Sequence, residues 1–266
     1  MDLLQATLLG IVQGLTEFLP VSSSGHLALA TYHLGWGEGL PLWIGVATNT
    51  GTLLAVLVYL RRDVAVAVSG FARGLVSAPA RREEGWRMAL LVIVGSVPTA
   101  IIGIGLRPVF EQLGHALPVS LALIVTGFVL WTAPRGGVKD SVARLTFRDA
   151  FFAGVAQGMA VVPGISRSGA TIAMLLWRGA AADIAPRLSF LMYLVVSFGV
   201  MVLEADTVFR EQILWGELVA MTVASFVVGF LALHVLFAVL RRGRFRVFAP
   251  YVWAIAAFTL VRIALG

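Results

Sequence analysis

Three ionisable side chains, Glu17, His26 and Arg167, stand in two short segments set within apolar sequence (Gln13 to His26 and Gln157 to Thr171). A charge at the centre of a bilayer costs at least about 2.5–3.5 kcal/mol on insertion scales, so three of them need a shared reason. Hydroxyls surround them: Ser22, Ser23, Ser24, Ser166, Ser168 and Thr171. Gly25, Gly164 and Gly169 let backbone N–H groups approach a ligand closely. A loop that opens a helix turns free N–H groups and a positive dipole end toward its contents. Arg167 adds a planar, permanently charged fork that matches phosphate oxygens. Together these parts describe an anion site, and phosphate is the best fit.

The first segment adds acid–base or metal chemistry. Glu17 lies four residues after Gln13, so on a helix the two face the same way. Its carboxylate could hold a divalent ion that bridges phosphate oxygens, or handle a proton. His26 titrates near neutrality and could be a general acid or base; an orienting hydrogen bond is its plainer role. Ser23 could be a nucleophile if a base activates it, or a simple donor to phosphate. The alternative to a ligand site is a structural Glu–Arg pair locking the two segments together, since buried pairs can serve specificity alone.

The elements that must position these residues are membrane helices. Of the 266 residues 59% are hydrophobic and only 13% charged, against about 25% charged in soluble domains. There is no cysteine, which removes disulfides, Cys-ligated zinc and thiol nucleophiles. The net charge of +6 is spread through short loops, the pattern of membrane orientation signals, so no basic domain exists for nucleic acid. The first segment reads as mature protein rather than a cleaved leader, because it opens with Asp2, lacks a basic residue before Arg61 and carries Glu17 in its middle.

Six apolar stretches have the length of full spans: roughly 41–60, 87–107, 116–133, 188–203, 213–240 and 247–265. The regions 1–35 and 149–187 are interrupted by Gly, Pro and Ser clusters, and each is expected to be a re-entrant hairpin of two short helices. The fold class expected is an all-α polytopic membrane protein, a single membrane domain over residues 1–266. Sixteen of the twenty basic residues fall in the connections after 41–60, 116–133 and 213–240 and at Arg178 and Arg187, which assigns these to the cytoplasm. Arg107 with Glu111, and Arg210 with Glu204, Asp206 and Glu211, mark the external loops, and both termini come out external. Each half, 1–133 and 149–266, is then a hairpin followed by three spans, in opposite orientation. Gln13-Gly14 followed by Ser22-Ser23-Ser24-Gly25, and Gln157-Gly158 followed at the same spacing by Ser166-Arg167-Ser168-Gly169, give that inverted repeat a sequence trace.

The stretches Gln13-Gly-Leu-Thr-Glu17-Phe-Leu-Pro-Val-Ser-Ser-Ser-Gly-His26 and Pro163-Gly-Ile-Ser-Arg-Ser-Gly-Ala-Thr171 resemble the two hallmark motifs of the undecaprenyl-diphosphate phosphatase family, the bacitracin-resistance proteins. Gly95-Ser-Val-Pro98 and Ala-Pro-Arg187-Leu-Ser-Phe190 extend the resemblance over most of the chain. It implies hydrolysis of a C55 isoprenoid diphosphate to the monophosphate, which recycles the lipid carrier of cell-wall synthesis, with a divalent cation, Mg²⁺ or Ca²⁺, held near Glu17. Carried over by position, Glu17 is the essential acidic residue, Ser23 the nucleophile, His26 the nearby acid–base residue and Arg167 the phosphate-binding arginine. Gln13, Ser22, Ser24, Gly25, Gly164, Ser166, Ser168, Gly169 and Thr171 are then substrate-binding neighbours. Asn49, Pro186 and the stretch Tyr193-Leu-Val-Val-Ser197 depart from the family pattern. The implied partners are the isoprenoid diphosphate and the bilayer, and a homodimer is compatible with the sequence. The rival expectation is a transporter of polyprenyl phosphate, because inverted repeats with broken helices are common in secondary transporters.

Overall fold

The computed structural model describes residues 2–35, 42–106, 108, 112–210 and 215–265, with the side chains of residue 42 and of residues 204–210 outside the described set. Arg107, Glu111 and Glu211, and the side chains of Glu204, Asp206 and Arg210, therefore lie outside the described residues. So do the features expected of the two external loops.

The described chain is helical: α1 Leu3–Phe18, α2 Ser23–Leu34, α3 Leu42–Tyr59, α4 Arg61–Val76, α5 Glu84–Gly105, α6 Ala116–Thr132, α7 Phe147–Met159, α8 Arg167–Trp177, α9 Ile184–Arg210, α10 Trp215–Arg241 and α11 Phe248–Leu265. Four stretches are long and apolar enough to cross a membrane: Glu84–Gly105, Ile184–Leu203, Trp215–Arg241 and Phe245–Leu265. The bent pair α3–α4 can supply a fifth. The chain is thus a multi-pass membrane protein. The apolar helices α1 and α6 are shorter.

Helix boundaries follow local chemistry. Asp2 caps α1 in a capping box with Gln5, and Thr146 caps α7 in one with Asp149, each satisfying N–H groups that the first turn leaves open. Two breaks interrupt the apolar sequence where it carries proline: Leu19–Ser22 between α1 and α2, and Ala160–Ser166 between α7 and α8. Ser22 takes φ 71° and Gly164 φ 98°, left-handed backbone that lets the chain turn sharply and start a new helix.

One element was not expected. Where the charge pattern implies a connection after residue 60, α4 occupies 61–76 and turns 79° away from α3. Its Ala67, Gly70 and Gly74 are buried, with Gly70 against the backbone of Gly85. Val68 and Leu75 stay exposed on an edge shared with Val64 and Phe71, while Arg62, Ser69 and Arg73 lie on the opposite side. The arginines made this helix look like a loop, yet its apolar residues recur at helical spacing.

The helices pack in reciprocal pairs. α1 lies along α10 and α7 along α5; α3 packs on α10 and α9 on α5; α6 packs on α11. Glycines set these crossings. A Cβ on Gly14 would lie 2.8 Å from the Gly229 nitrogen and the Ser225 oxygen, and one on Gly154 would collide with the Gly95 carbonyl. Small residues permit such backbone approach where lipid offers no hydrophobic drive between helices. At the far end of α7, fully buried Asp149 accepts from Lys139 Nζ at 2.6 Å, Arg178 Nε at 2.8 Å and the Thr146 N–H at 2.9 Å. It ties the preceding connection and the end of α8 to the start of α7.

Candidate active site

The two breaks meet. Ser22 is the N-cap of α2 and its Oγ accepts the Gly25 N–H; Ser166 is the N-cap of α8 and its Oγ accepts the Gly169 N–H. Ser22 Oγ also accepts the Gly164 N–H at 3.1 Å, joining one break to the other. Across the second break, Thr126 Oγ1 donates to the Gly164 carbonyl at 2.8 Å and accepts the Ser166 N–H at 3.1 Å. This contact holds the loop against α6. Both helix N-termini therefore open onto one space, where their dipoles favour an anion.

That space is a cavity of about 150 Å³ lined by Gln13, Glu17, Ser23, Asn49, Ser166 and Arg167, with Thr16, Ser22, Ser24, Gly45 and the apolar Leu27, Ala160 and Ile165 completing the wall. Glu17 Oε2 accepts from Gln13 Nε2 at 2.8 Å and from the Ser23 hydroxyl. Gln13 Nε2 also donates to Asn49 Oδ1 at 3.0 Å, so the i,i+4 pairing expected on α1 is extended by α3. The other carboxylate oxygen, Glu17 Oε1, lies 4.0 Å from Arg167 Nη2. Arg167 Nη1 donates to Ser197 Oγ at 3.0 Å, and its guanidinium sits 5.3 Å from the ring centre of Tyr193.

The predicted residues separate into two groups. Gln13, Glu17, Ser22, Ser23, Ser24, Ser166 and Arg167 line the cavity. Gly25, Gly164, Ser168, Gly169 and Thr171 stand behind it and shape the breaks: Thr171 Oγ1 donates to the Arg167 carbonyl and Ser168 Oγ pairs with Ser166 Oγ at 3.3 Å. His26 is turned away from the cavity. Its Nδ1 meets the Ser22 carbonyl at 2.8 Å, its Nε2 meets the Tyr251 hydroxyl at 3.0 Å, and the two rings stack. With a partner on each nitrogen, the ring braces the Ser22 turn against Tyr251. Gln157 is also buried away from the cavity, and four residues on from it stands Val161, so the second break carries no carboxylate.

Asn49, Thr16, Thr126, Tyr193, Ser197 and Tyr251 were not predicted as site residues. Asn49, Tyr193 and Ser197 stand out in the sequence only as departures from a family pattern. Thr126 gave no sign at all within its apolar helix.

Two cavity residues carry oxygens that could hold a hard divalent cation. Among the described residues no cluster of three His, Cys, Asp or Glu exists, but Glu17 Oε1 and Asn49 Oδ1 are oxygen donors on the same wall. Magnesium is commonly held by one or two carboxylates and completed by substrate phosphates.

Comparison with known proteins places the chain among relatives of one kind. The model of the family described as Bacitracin resistance protein BacA matches residues 6–258. The undecaprenyl-diphosphatase of Acaryochloris marina is 61% identical over 266 residues, covering 100% of both chains. That of Desulfosudis oleivorans is 44% identical over 270 residues, with 98% of each covered. That of Syntrophotalea carbinolica is 42% identical over 258 residues, with 95% of this chain and 96% of the relative covered.

Proposed function

The chain belongs to the bacitracin resistance protein family, and from that premise we propose how its own residues act. It is a membrane-embedded phosphatase that hydrolyses undecaprenyl diphosphate to the monophosphate and inorganic phosphate, returning the lipid carrier to cell-wall synthesis.

In the proposed mechanism the isoprenoid tail stays in lipid and the diphosphate enters the cavity between the two breaks. The N-termini of α2 and α8 and the Arg167 fork neutralise its oxygens, and such preorganised electrostatics are commonly the largest catalytic term. Ser23 Oγ attacks the terminal phosphorus in line while its proton passes to Glu17 Oε2. The bond from that phosphorus to the bridging oxygen breaks, and the bridging oxygen leaves with the lipid monophosphate, taking up the proton. Water then cleaves the phosphoserine, releasing inorganic phosphate and restoring the Ser23 hydroxyl. A divalent ion, Mg²⁺ or Ca²⁺, would be held by Glu17 Oε1 and Asn49 Oδ1, and when bound it supplies positive charge to the phosphate oxygens. His26 orients the Ser22 turn through its Nδ1.

One observation carries the hydrolytic reading over the transporter reading: the Ser23 hydroxyl donates to the Glu17 carboxylate. A carrier of lipid phosphate needs anion donors but no nucleophile–base couple. Ser23→Ala is expected to abolish phosphate release from an isoprenyl diphosphate while leaving the folded protein intact; undiminished release would eliminate Ser23 as the attacking group.

For the membrane arrangement we propose six spans (α3, α5, α6, α9, α10 and α11) and two re-entrant hairpins (α1–α2 and α7–α8) in an inverted repeat of residues 1–133 and 149–266. The reciprocal packing of the halves and the matching N-caps of α2 and α8 support it. The arginine distribution supports external termini and a cytoplasmic α4 lying along the bilayer surface.

A further inference from the structure

Arg167 and Glu17 are close enough to attract but are not a closed ion pair. Nη2 stands 4.0 Å from Oε1, beyond the roughly 2.7–2.9 Å of a charge-assisted N–H···O bond. Two neighbours on α9 account for this spacing. Ser197 Oγ takes a hydrogen bond from Nη1 at 3.0 Å, drawing the guanidinium toward α9 and away from α1. Tyr193 presents its ring to the guanidinium at 5.3 Å, a cation–π distance. Tyr193 is itself fixed: its hydroxyl meets Thr52 Oγ1 at 3.0 Å, and its ring stands edge-on to Phe18 at 6.1 Å. Phe18 follows Glu17 directly in α1. One buried tyrosine thus touches the helix that carries the carboxylate, the helix that carries Asn49, and the arginine.

The chemistry explains why the spacing matters. An Arg167 bonded bidentately to Glu17 would offer fewer donors to phosphate, and the carboxylate would lose basicity for the Ser23 proton. Held by Ser197 and the Tyr193 ring, the fork keeps N–H groups facing the cavity and Glu17 keeps its bond to Ser23. We propose that Ser197 and Tyr193 are positioning residues that hold Arg167 off Glu17 so that its fork receives the terminal phosphate. The proposal deepens the phosphatase reading and rests on Arg167 being the phosphate clamp.

The test is phosphate release from a C15 isoprenyl diphosphate by the full-length protein purified in detergent, with inorganic phosphate as competing anion. The variants are Ser197→Val, Ser197→Thr and Tyr193→Leu, beside Arg167→Ala. Valine and threonine have nearly the same shape, so only the hydroxyl distinguishes the first two. Ser197→Val should lower kcat roughly ten- to hundredfold, the scale of a lost hydrogen bond to a charged group, and weaken inhibition by phosphate. Ser197→Thr should restore both, and Tyr193→Leu should resemble Ser197→Val. Equal turnover and phosphate inhibition in Ser197→Val and Ser197→Thr would overturn the proposal. An Arg167→Ala protein as active as wild type would overturn it too, and that result alone would also remove Arg167 from the phosphatase site.

Discussion

Ser22 Oγ accepts the Gly164 N–H at 3.1 Å across 142 residues of sequence. The same oxygen accepts the Gly25 N–H at 3.3 Å, so one buried hydroxyl caps α2 and pins the second break to the first. The bond makes the two breaks a single structure, so that Ser23 and Arg167 line the same cavity.

Removing that oxygen leaves two buried N–H groups without an acceptor. Ser22→Ala is expected to destabilise the protein by about 1–3 kcal/mol, the scale of an unsatisfied buried donor, and to lower turnover because the breaks separate. Thermal unfolding in detergent, followed by tryptophan fluorescence, measures the first effect and phosphate release the second. An unchanged melting temperature with full activity would show that the two breaks are held by other contacts.

Gly164 is restricted twice, by φ 98° and by a Cβ that would collide with the Val119 carbonyl. Gly164→Ala should therefore disrupt both the break and its seat on α6, giving a protein of low yield or no activity. Gly103→Ala is the control, since the nearest atom to its Cβ, Val161 Cγ2, lies at an ordinary 3.5 Å. Wild-type behaviour in Gly164→Ala would contradict the tight seating of the loop.

The sequence made much of this site readable because its polar residues are so costly in apolar surroundings. Glu17, Ser23, Ser166 and Arg167 could be named from that cost, and the breaks from their Gly, Pro and Ser content. The helices α3, α5, α6, α9, α10 and α11 also follow the apolar runs closely. What could not be read was tertiary. Ser197 and Tyr193 matter through the guanidinium they touch, thirty and twenty-six residues away in sequence, and Thr126 through a loop on another element. Nothing in local composition marks them. His26 shows the converse: its type suggests acid–base work or an orienting hydrogen bond, and the turn at Ser22 directs its ring to Tyr251. The α4 helix was hidden because its arginines outweighed its valines in a reading by hydrophobicity alone.

The His26 geometry gives a separable expectation. Its Nδ1 faces a carbonyl oxygen, so that nitrogen carries the proton and Nε2 accepts from Tyr251. His26→Asn preserves a donor near the Nδ1 position and should keep most activity, whereas His26→Ala should lose it. If the ring is only a brace, the pH dependence of kcat in His26→Asn keeps the shape seen in wild type. Loss of one limb of that profile would return His26 to a proton-transfer role.

Asp149 is fully buried between Lys139 and Arg178. Asp149→Ala removes the acceptor of both cations, each bond of the kind worth about 1.5–3 kcal/mol, and leaves the partly exposed Lys139 and Arg178 facing each other. Its expected consequence is a large drop in melting temperature. Exposure of the 134–146 connection should follow, read by faster proteolysis there. A stable Asp149→Ala protein with unchanged proteolysis would show that the backbone bonds between Lys139 and the end of α8 suffice.

The central claim is that Glu17 and Arg167, 4.0 Å apart on the lining of one cavity, act together on a lipid diphosphate. The most direct test is phosphate release from a C55 isoprenyl diphosphate by purified wild type, Glu17→Ala and Arg167→Ala, with Mg²⁺ or Ca²⁺ and with a chelator. The account predicts release by wild type that the chelator stops, and loss by orders of magnitude in both variants at unchanged yield and melting temperature. Near-normal release by either variant would contradict it.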